Sequence, residues 1–252
     1  MQGATIIERA SLSDVGCQRG NNEDSCGYWE PQNPEALASK GRLAIIADGM
    51  GGHEGGQEAS RIAVETIEQT YAANADRDPR SALLEGFRNA HQRIQEYGRV
   101  HPGLHGMGTT ATAVALFPTQ LLYAHIGDSR LYLIHANNIT QLTRDHSYVS
   151  HLVQSGVITE DEAEIHPGRH ILTAALGAGL EAEPEIAMSP IPVASGDRLV
   201  LCTDGLWSLM EDEEILDTVL AHDPVAACNA LVEMAKQRGG PDNITVQVLY
   251  IP

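Results

Sequence analysis

The chain has 252 residues, 42% hydrophobic and 20% charged, a balance that supports a buried core and leaves no long stretch that is both charged and poor in apolar residues. Thirty-four acidic residues against 16 basic ones give a formal charge of −18, and the scattered Lys and Arg offer no basic face to displace counterions from nucleic acid. No apolar run is long enough to cross a membrane, Met1–Ala10 lacks the character of a secretory leader, and Cys17, Cys26, Cys202 and Cys228 show no C-x-x-C spacing, so the expectation is a cytoplasmic protein with free thiols and no structural zinc.

Thr5–Leu12 reads as a first strand and Asp24–Glu30 as a second. Leu43–Ala47 is a short continuous apolar run, as in a buried strand, and runs into the Gly-rich turn Asp48-Gly49-Met50-Gly51-Gly52. Two helices follow, with Ala59, Ile62, Ala63, Thr66, Ile67 and Tyr71 on one face of the first, and Leu83, Phe87, Ala90, Ile94 and Tyr97 on one face of the second. Thr110–Phe117, Gln120–Ile126 and Arg130–His135 are β-rich, and their short links favour antiparallel pairing. Residues 147–179 are irregular and partly helical. Strands resume at Glu185–Ile191 and Arg198–Cys202, helices at Glu211–Ala221 and Pro224–Arg238. The last strand, Ile244–Ile251, puts Ile244, Val246 and Val248 on one side and Thr245 and Gln247 on the other.

Strand groups followed by helix groups, without β-α-β alternation, predict an α+β fold with mainly antiparallel sheet. No linker or repeat divides the chain, so residues 1–252 read as one domain.

Aspartates recur at predicted strand ends. Asp24 opens one strand, Asp48 and Asp204 close others just before a glycine, Asp128 lies in the turn Gly127-Asp128-Ser129, and Asp242 precedes the last strand. Any one of them is an ordinary turn residue. Strand ends at one edge of a packed sheet pair converge, however, and clustered carboxylates without cations repel one another. Hard oxygen donors suit Mg²⁺ or Mn²⁺. Without a Cβ, the Gly49 carbonyl could approach such an ion closely.

Seven segments, Arg19-Gly20-Asn21-Asn22-Glu23-Asp24, Asp48-Gly49-Met50-Gly51-Gly52, Gly108-Thr109-Thr110, Gly127-Asp128-Ser129-Arg130, Leu142-Thr143-Arg144-Asp145-His146-Ser147, Thr203-Asp204-Gly205-Leu206 and Asp242-Asn243-Ile244-Thr245, stand in a telling order. Together they give a chain that resembles the metal-dependent serine/threonine protein phosphatases, also called protein phosphatase 2C, and their compact bacterial members in particular. The resemblance runs from residue 19 to 245. It implies a four-layer αββα sandwich of two mainly antiparallel sheets flanked by helices, and a site for two Mn²⁺ or Mg²⁺ ions. Asp48 would bridge both ions, the Gly49 carbonyl would reach one, and Asp204 and Asp242 the other. Asp24 would act directly or through water, with Glu23 close by. Asp128 and Asp204 match the position of a third, weaker ion in bacterial relatives, and Arg19 matches the phosphate-binding arginine. Residues 147–179 correspond to the flap beside the active site. The expected partners are phosphorylated proteins, at family level a serine/threonine kinase and its targets, with no membrane or nucleic acid, and the expected state is a monomer.

The chemistry expected of such a site is hydrolysis of phosphoserine and phosphothreonine by an activated water, without a phosphoenzyme. None of the four Cys has an Arg six residues later, as a tyrosine phosphatase would need. Many eukaryotic members place His after the Asp-Gly pair, but this chain has Met50 there. The proton donor is therefore open between His53, His166 and a water. Gly106-Met107-Gly108-Thr109-Thr110-Ala111 matches a dinucleotide-binding pattern, yet neither a strand before it nor a helix after it is predicted. The remaining rival is a phospho-protein-binding module of the same fold.

Overall fold

The computed structural model describes residues 7–52, 54–74, 78–180 and 183–252. In chain order the elements are β1 (Glu8–Asp14), β2 (Asp24–Trp29), α1 (Pro34–Lys40), β3 (Arg42–Met50), α2 (Glu54–Asn74), α3 (Pro79–Val100), β4 (Gly108–Thr109), β5 (Ala111–Leu116), β6 (Gln120–Ile126), β7 (Arg130–His135) and β8 (Asn138–Gln141). They continue with α4 (Tyr148–Gln154), α5 (Glu160–Glu164), β9 (Glu185–Ile186), β10 (Ile191–Pro192), β11 (Arg198–Cys202), α6 (Asp204–Trp207), α7 (Asp212–Ala221), α8 (Pro224–Gln237) and β12 (Ile244–Tyr250).

Three helices share one start signal. Asn33-Pro34, Asp78-Pro79 and Asp223-Pro224 each place a carboxylate or amide oxygen on the free N–H groups of the first turn, with proline where no N–H is needed. Helix α5 opens on a capping box, in which Thr159 and Glu162 bond each other's backbone N–H.

Two antiparallel sheets result. One has the order β1-β12-β11-β7-β8, the other β10-β6-β5-β3-β2, with β4 joined to β3 and β9 to β6. Period-two alternation explains the layering. In β11, Leu199 and Leu201 face the other sheet while Val200 and Cys202 face α7 and α8. Helices α2 and α3 pack together, and α2 covers β2 and β3; α8 covers β1 and β12 on the far side. The layers are therefore α2/α3, sheet, sheet, α7/α8, as expected. All four Cys are free thiols. Among the described residues no helix is long and apolar enough to cross a membrane.

Several expectations change. The first strand begins no earlier than Glu8 among the described residues and runs to Asp14, because β12 supplies partners that far. The turn expected at Asp48 is strand: β3 continues through Gly49 and Met50, paired with β2 and then β4. Asp204 opens the short helix α6 and is not a turn residue. The strand expected over Glu185–Ile191 is two separate pairs of residues on β6. Helix α1 and strand β8 were not expected. The polar face of β12 points inward: Thr245 and Gln247 are buried between the sheets, and Gln247 Nε2 donates to the Gly27 carbonyl at 3.1 Å.

Candidate metal centre

Asp24 and Asp48 occupy opposite positions in the β2–β3 ladder, where like charges repel. Asp24 is only 8% exposed. Its Oδ2 accepts from Thr203 Oγ1 (2.9 Å) and Thr245 Oγ1 (2.6 Å), whereas its Oδ1 is buried without a partner. Burial above all, with Asp204 and Asp242 nearby, raises its pKa to about 7 against the pull of the two threonines. Asp48 is driven well above the carboxylate range, again by burial first and then by Asp24, Asp204, Asp128 and Asp242.

The backbone at Asp48 is held by the Gly108-Thr109-Thr110 segment. Its N–H donates to Thr110 Oγ1 at 2.9 Å, and its carbonyl accepts from Thr110 N–H (2.9 Å) and Thr109 Oγ1 (2.8 Å). Gly49 is fixed by packing. A Cβ there would overlap the Gly56 and Glu23 carbonyls, and its N–H donates to the latter at 3.1 Å. The close approach that excludes a side chain is thus that of α2 and the loop before β2.

Asp128 lies in the turn between β6 and β7, 6% exposed, and its carbonyl accepts from Trp207 Nε1 at 2.9 Å. Burial, then Asp204 and Asp145, lift its pKa well above the ordinary value, with Arg130 opposing. Asp204 leads α6. Its Oδ1 is a second buried oxygen without a partner, and burial followed by Asp242 raises its pKa.

Asp242 accepts from Arg19 Nη2 at 2.7 Å. Burial works against the Arg19 charge, but Asp242, Glu23 and Asp204 outweigh it and raise its pKa. The Arg19 side chain remains 52% exposed. Asn243 ties this loop to β12: its Oδ1 accepts from Glu23 N–H at 2.8 Å, and its Nδ2 donates to the Val15 and Asn21 carbonyls at 2.9 Å.

The five aspartates, Gly49 and Arg19 therefore gather at one end of the sandwich. Of the histidines, His53 lies outside the described residues. His166 is engaged locally, its Nδ1 accepting from Gly168 N–H at 3.0 Å and its ring tilted against Tyr148. His170, which the sequence reading missed, stands with Nδ1 3.9 Å from Asp204 Oδ2 and is largely exposed. Nothing in its local sequence marks it; only the fold brings residues 170 and 204 together.

A divalent cation fits this donor set. Four carboxylates have raised pKa values because of burial and mutual repulsion, two of their oxygens are orphaned, and every donor is oxygen, which suits Mg²⁺ or Mn²⁺. Among the described residues no three His, Cys, Asp or Glu side chains already form a closed ligand shell, so rotation of the aspartates about their side-chain bonds would have to complete one.

The chain matches the family model for protein phosphatase 2C over residues 20–238. It is 37% identical to the serine/threonine protein phosphatase PstP of Mycobacterium tuberculosis over 243 residues, covering 96% of this chain and 45% of that protein, so it spans about half the length of that relative. It is 36% identical to the protein phosphatase PhpP of Streptococcus pneumoniae over 249 residues, covering 96% and 97%. The crystal structure of the PstP catalytic domain in complex with two manganese ions superimposes with a TM-score of 0.83 at 34% identity, covering 97% of each chain. The chain belongs to the protein phosphatase 2C family.

Proposed function

We propose that this protein hydrolyses phosphoserine and phosphothreonine on proteins and depends on Mn²⁺ or Mg²⁺ to do so. The observation that carries the reading is the opposed pair Asp24 and Asp48, with buried, unpartnered oxygens on Asp24 and Asp204. The PstP domain with two manganese ions supports it. Asp48, Asp204, Asp242 and the Gly49 carbonyl would hold two ions, with Asp24 beside them; Asp128 and Asp204 would hold a weaker third. Bound there, such ions supply positive charge opposite the phosphoryl oxygens and a water of lowered pKa.

The chain's own residues do the rest. Thr203 and Thr245 fix the orientation of Asp24 by occupying one of its oxygens. Asp242 braces one edge of the Arg19 guanidinium, and the exposed remainder is free to donate to phosphoryl oxygens of a substrate. Residues 147–179, which carry His170, form a flap over the site within a single catalytic domain of residues 1–252. The substrates are phosphorylated proteins, with a serine/threonine kinase and its targets as the class, acted on by a monomer in the cytoplasm.

The test is an assay of chelator-stripped protein on p-nitrophenyl phosphate and a phosphothreonine peptide, with and without Mn²⁺ or Mg²⁺. Activity that is absent without metal and returns with it supports the proposal, as does its loss in a folded Asp204→Asn variant. Folded protein inactive under every metal would leave a phospho-protein-binding module instead.

A further inference from the structure

Asp128 lies between two residues that one neighbouring segment grips. Residues 142–146 follow β8 and lead into α4. Within them Asp145 accepts from Arg130 Nε (3.1 Å) and Nη2 (2.8 Å), on one side of Asp128. His146 holds Gly127 on the other side twice over: its N–H donates to the Gly127 carbonyl at 2.7 Å, and its Nδ1 accepts from Gly127 N–H at 3.3 Å. Gly127 has φ +105, and a Cβ there would strike Thr110, so the turn has little freedom of its own.

Because Nδ1 accepts, the imidazole proton sits on Nε2, which points at Glu185 Oε2, 3.7 Å away. Glu185 in turn accepts from Tyr123 OH at 2.8 Å, and the His125 ring lies against the His146 ring at 4.9 Å. The tautomer that grips Gly127 is therefore selected from behind by the half-buried Glu185 on β9, itself held by Tyr123 on β6. His146 also forms the neck of the flap, since its carbonyl accepts from Thr173 N–H at 2.8 Å and the next residue, Ser147, bridges to Leu172.

We propose that His146 is a positioning residue for Asp128, tying the neck of the flap to the aspartate of the weaker ion site through both polar groups of the Gly127 backbone. The inference rests on the reading that Asp128 holds an ion. Partners one step removed from a ligand commonly change metal affinity by 10–100-fold, about tenfold being the expectation here.

Calorimetric titration of chelator-stripped protein with Mn²⁺, without substrate, tests it. His146→Ala should weaken the weakest binding step by about tenfold. His146→Asn, whose Oδ1 stands where Nδ1 accepts, should recover most of the loss. Asp128→Ala should remove the step, and adding His146→Ala to it should change nothing more. If His146→Ala does not fold, Glu185→Ala frees the same ring from the other side and should shift the same step. Wild-type titration by the folded His146→Ala or Glu185→Ala variant overturns the inference, and so does a His146→Ala effect that persists in the Asp128→Ala background. Wild-type titration by Asp128→Ala takes down the ion assignment of Asp128 itself, and the role of His146 falls with it.

Discussion

Asp24 and Asp48 face each other across the β2–β3 ladder, two acids at a register position that a folded chain would ordinarily give to a complementary pair. With Asp128 and Asp204 they form a group of carboxylates whose pKa values all lie above the ordinary 3.8. The site is thus a built-in electrostatic penalty, which cations bound there would relieve.

The first prediction follows from the sign of those shifts. A group whose folded pKa is raised stabilises the fold below its unfolded value and loses that contribution as pH rises through the folded value. For Asp24 the window runs from about 4 to about 7. The lowered Asp14, Asp78, Glu185 and Glu214 act with the opposite sign at and below their ordinary values, and the buried His125 and His91, whose pKa values are lowered, oppose within the window; Asp48, Asp128 and Asp204, all raised, add to Asp24 and outnumber them. Metal-free protein should therefore melt at a lower temperature near pH 8 than near pH 5, and saturating Mn²⁺ should flatten that slope. A metal-free melting temperature independent of pH across this range would contradict it.

Asp48→Asn should separate stability from activity. It removes the charge at the centre of the repulsion, so the metal-free variant should melt no lower than wild type. The same change should abolish turnover and most of the stabilisation that Mn²⁺ confers. The idea fails if the variant is destabilised without metal yet still stabilised by Mn²⁺ as the wild type is.

The Asp-Gly pairs and the apolar periodicities are local chemistry, and so the carboxylates and most elements were legible in the sequence, whereas α1, seven residues with Leu37 alone buried, was not. Other features depend on partners far along the chain. Asp48-Gly49 has turn composition but becomes strand because β2 and β4 pair with it. Thr245 falls on the polar side of β12 by alternation, but what that side faces, Asp24, lies 221 residues away. β8 is four residues long and exists because Ala136 and Asn137 take positive φ in a tight hairpin. His170 carries no local signature, and His146, though it stands in one of the seven family-like segments, shows its role only through what the neck of the flap is folded against.

Gly49→Ala should destabilise the protein by roughly 1–3 kcal/mol, because the new methyl would meet the Gly56 and Glu23 carbonyls. Since the obstacle is backbone, the loss should appear equally with and without Mn²⁺ in denaturant melts. A loss seen only when metal is present would instead make ion approach the reason for glycine.

Arg19→Ala should raise KM for phosphate esters roughly tenfold or more, the scale of a lost charge-assisted hydrogen bond, with a smaller change in kcat. Arg19 is half exposed and bonded only to Asp242 among the contacts seen, so the melting temperature should hardly move. An unchanged KM with weakened Mn²⁺ binding would recast Arg19 as a brace for Asp242.

His170 and His166 can be told apart by leaving group. A serine or threonine alkoxide must be protonated as it departs, whereas p-nitrophenolate leaves without help. His170 stands 3.9 Å from Asp204 on the exposed side of the site, and His166 is taken up by Gly168 and Tyr148. His170→Gln should therefore lower kcat on a phosphothreonine peptide by about a hundredfold, the scale of general acid catalysis, and barely affect p-nitrophenyl phosphate. His166→Gln should affect neither substrate selectively. Equal losses on both substrates for His170→Gln would mean that the residue holds Asp204 in place and does not donate the proton. A selective loss in His53→Gln instead would move the donor role to His53.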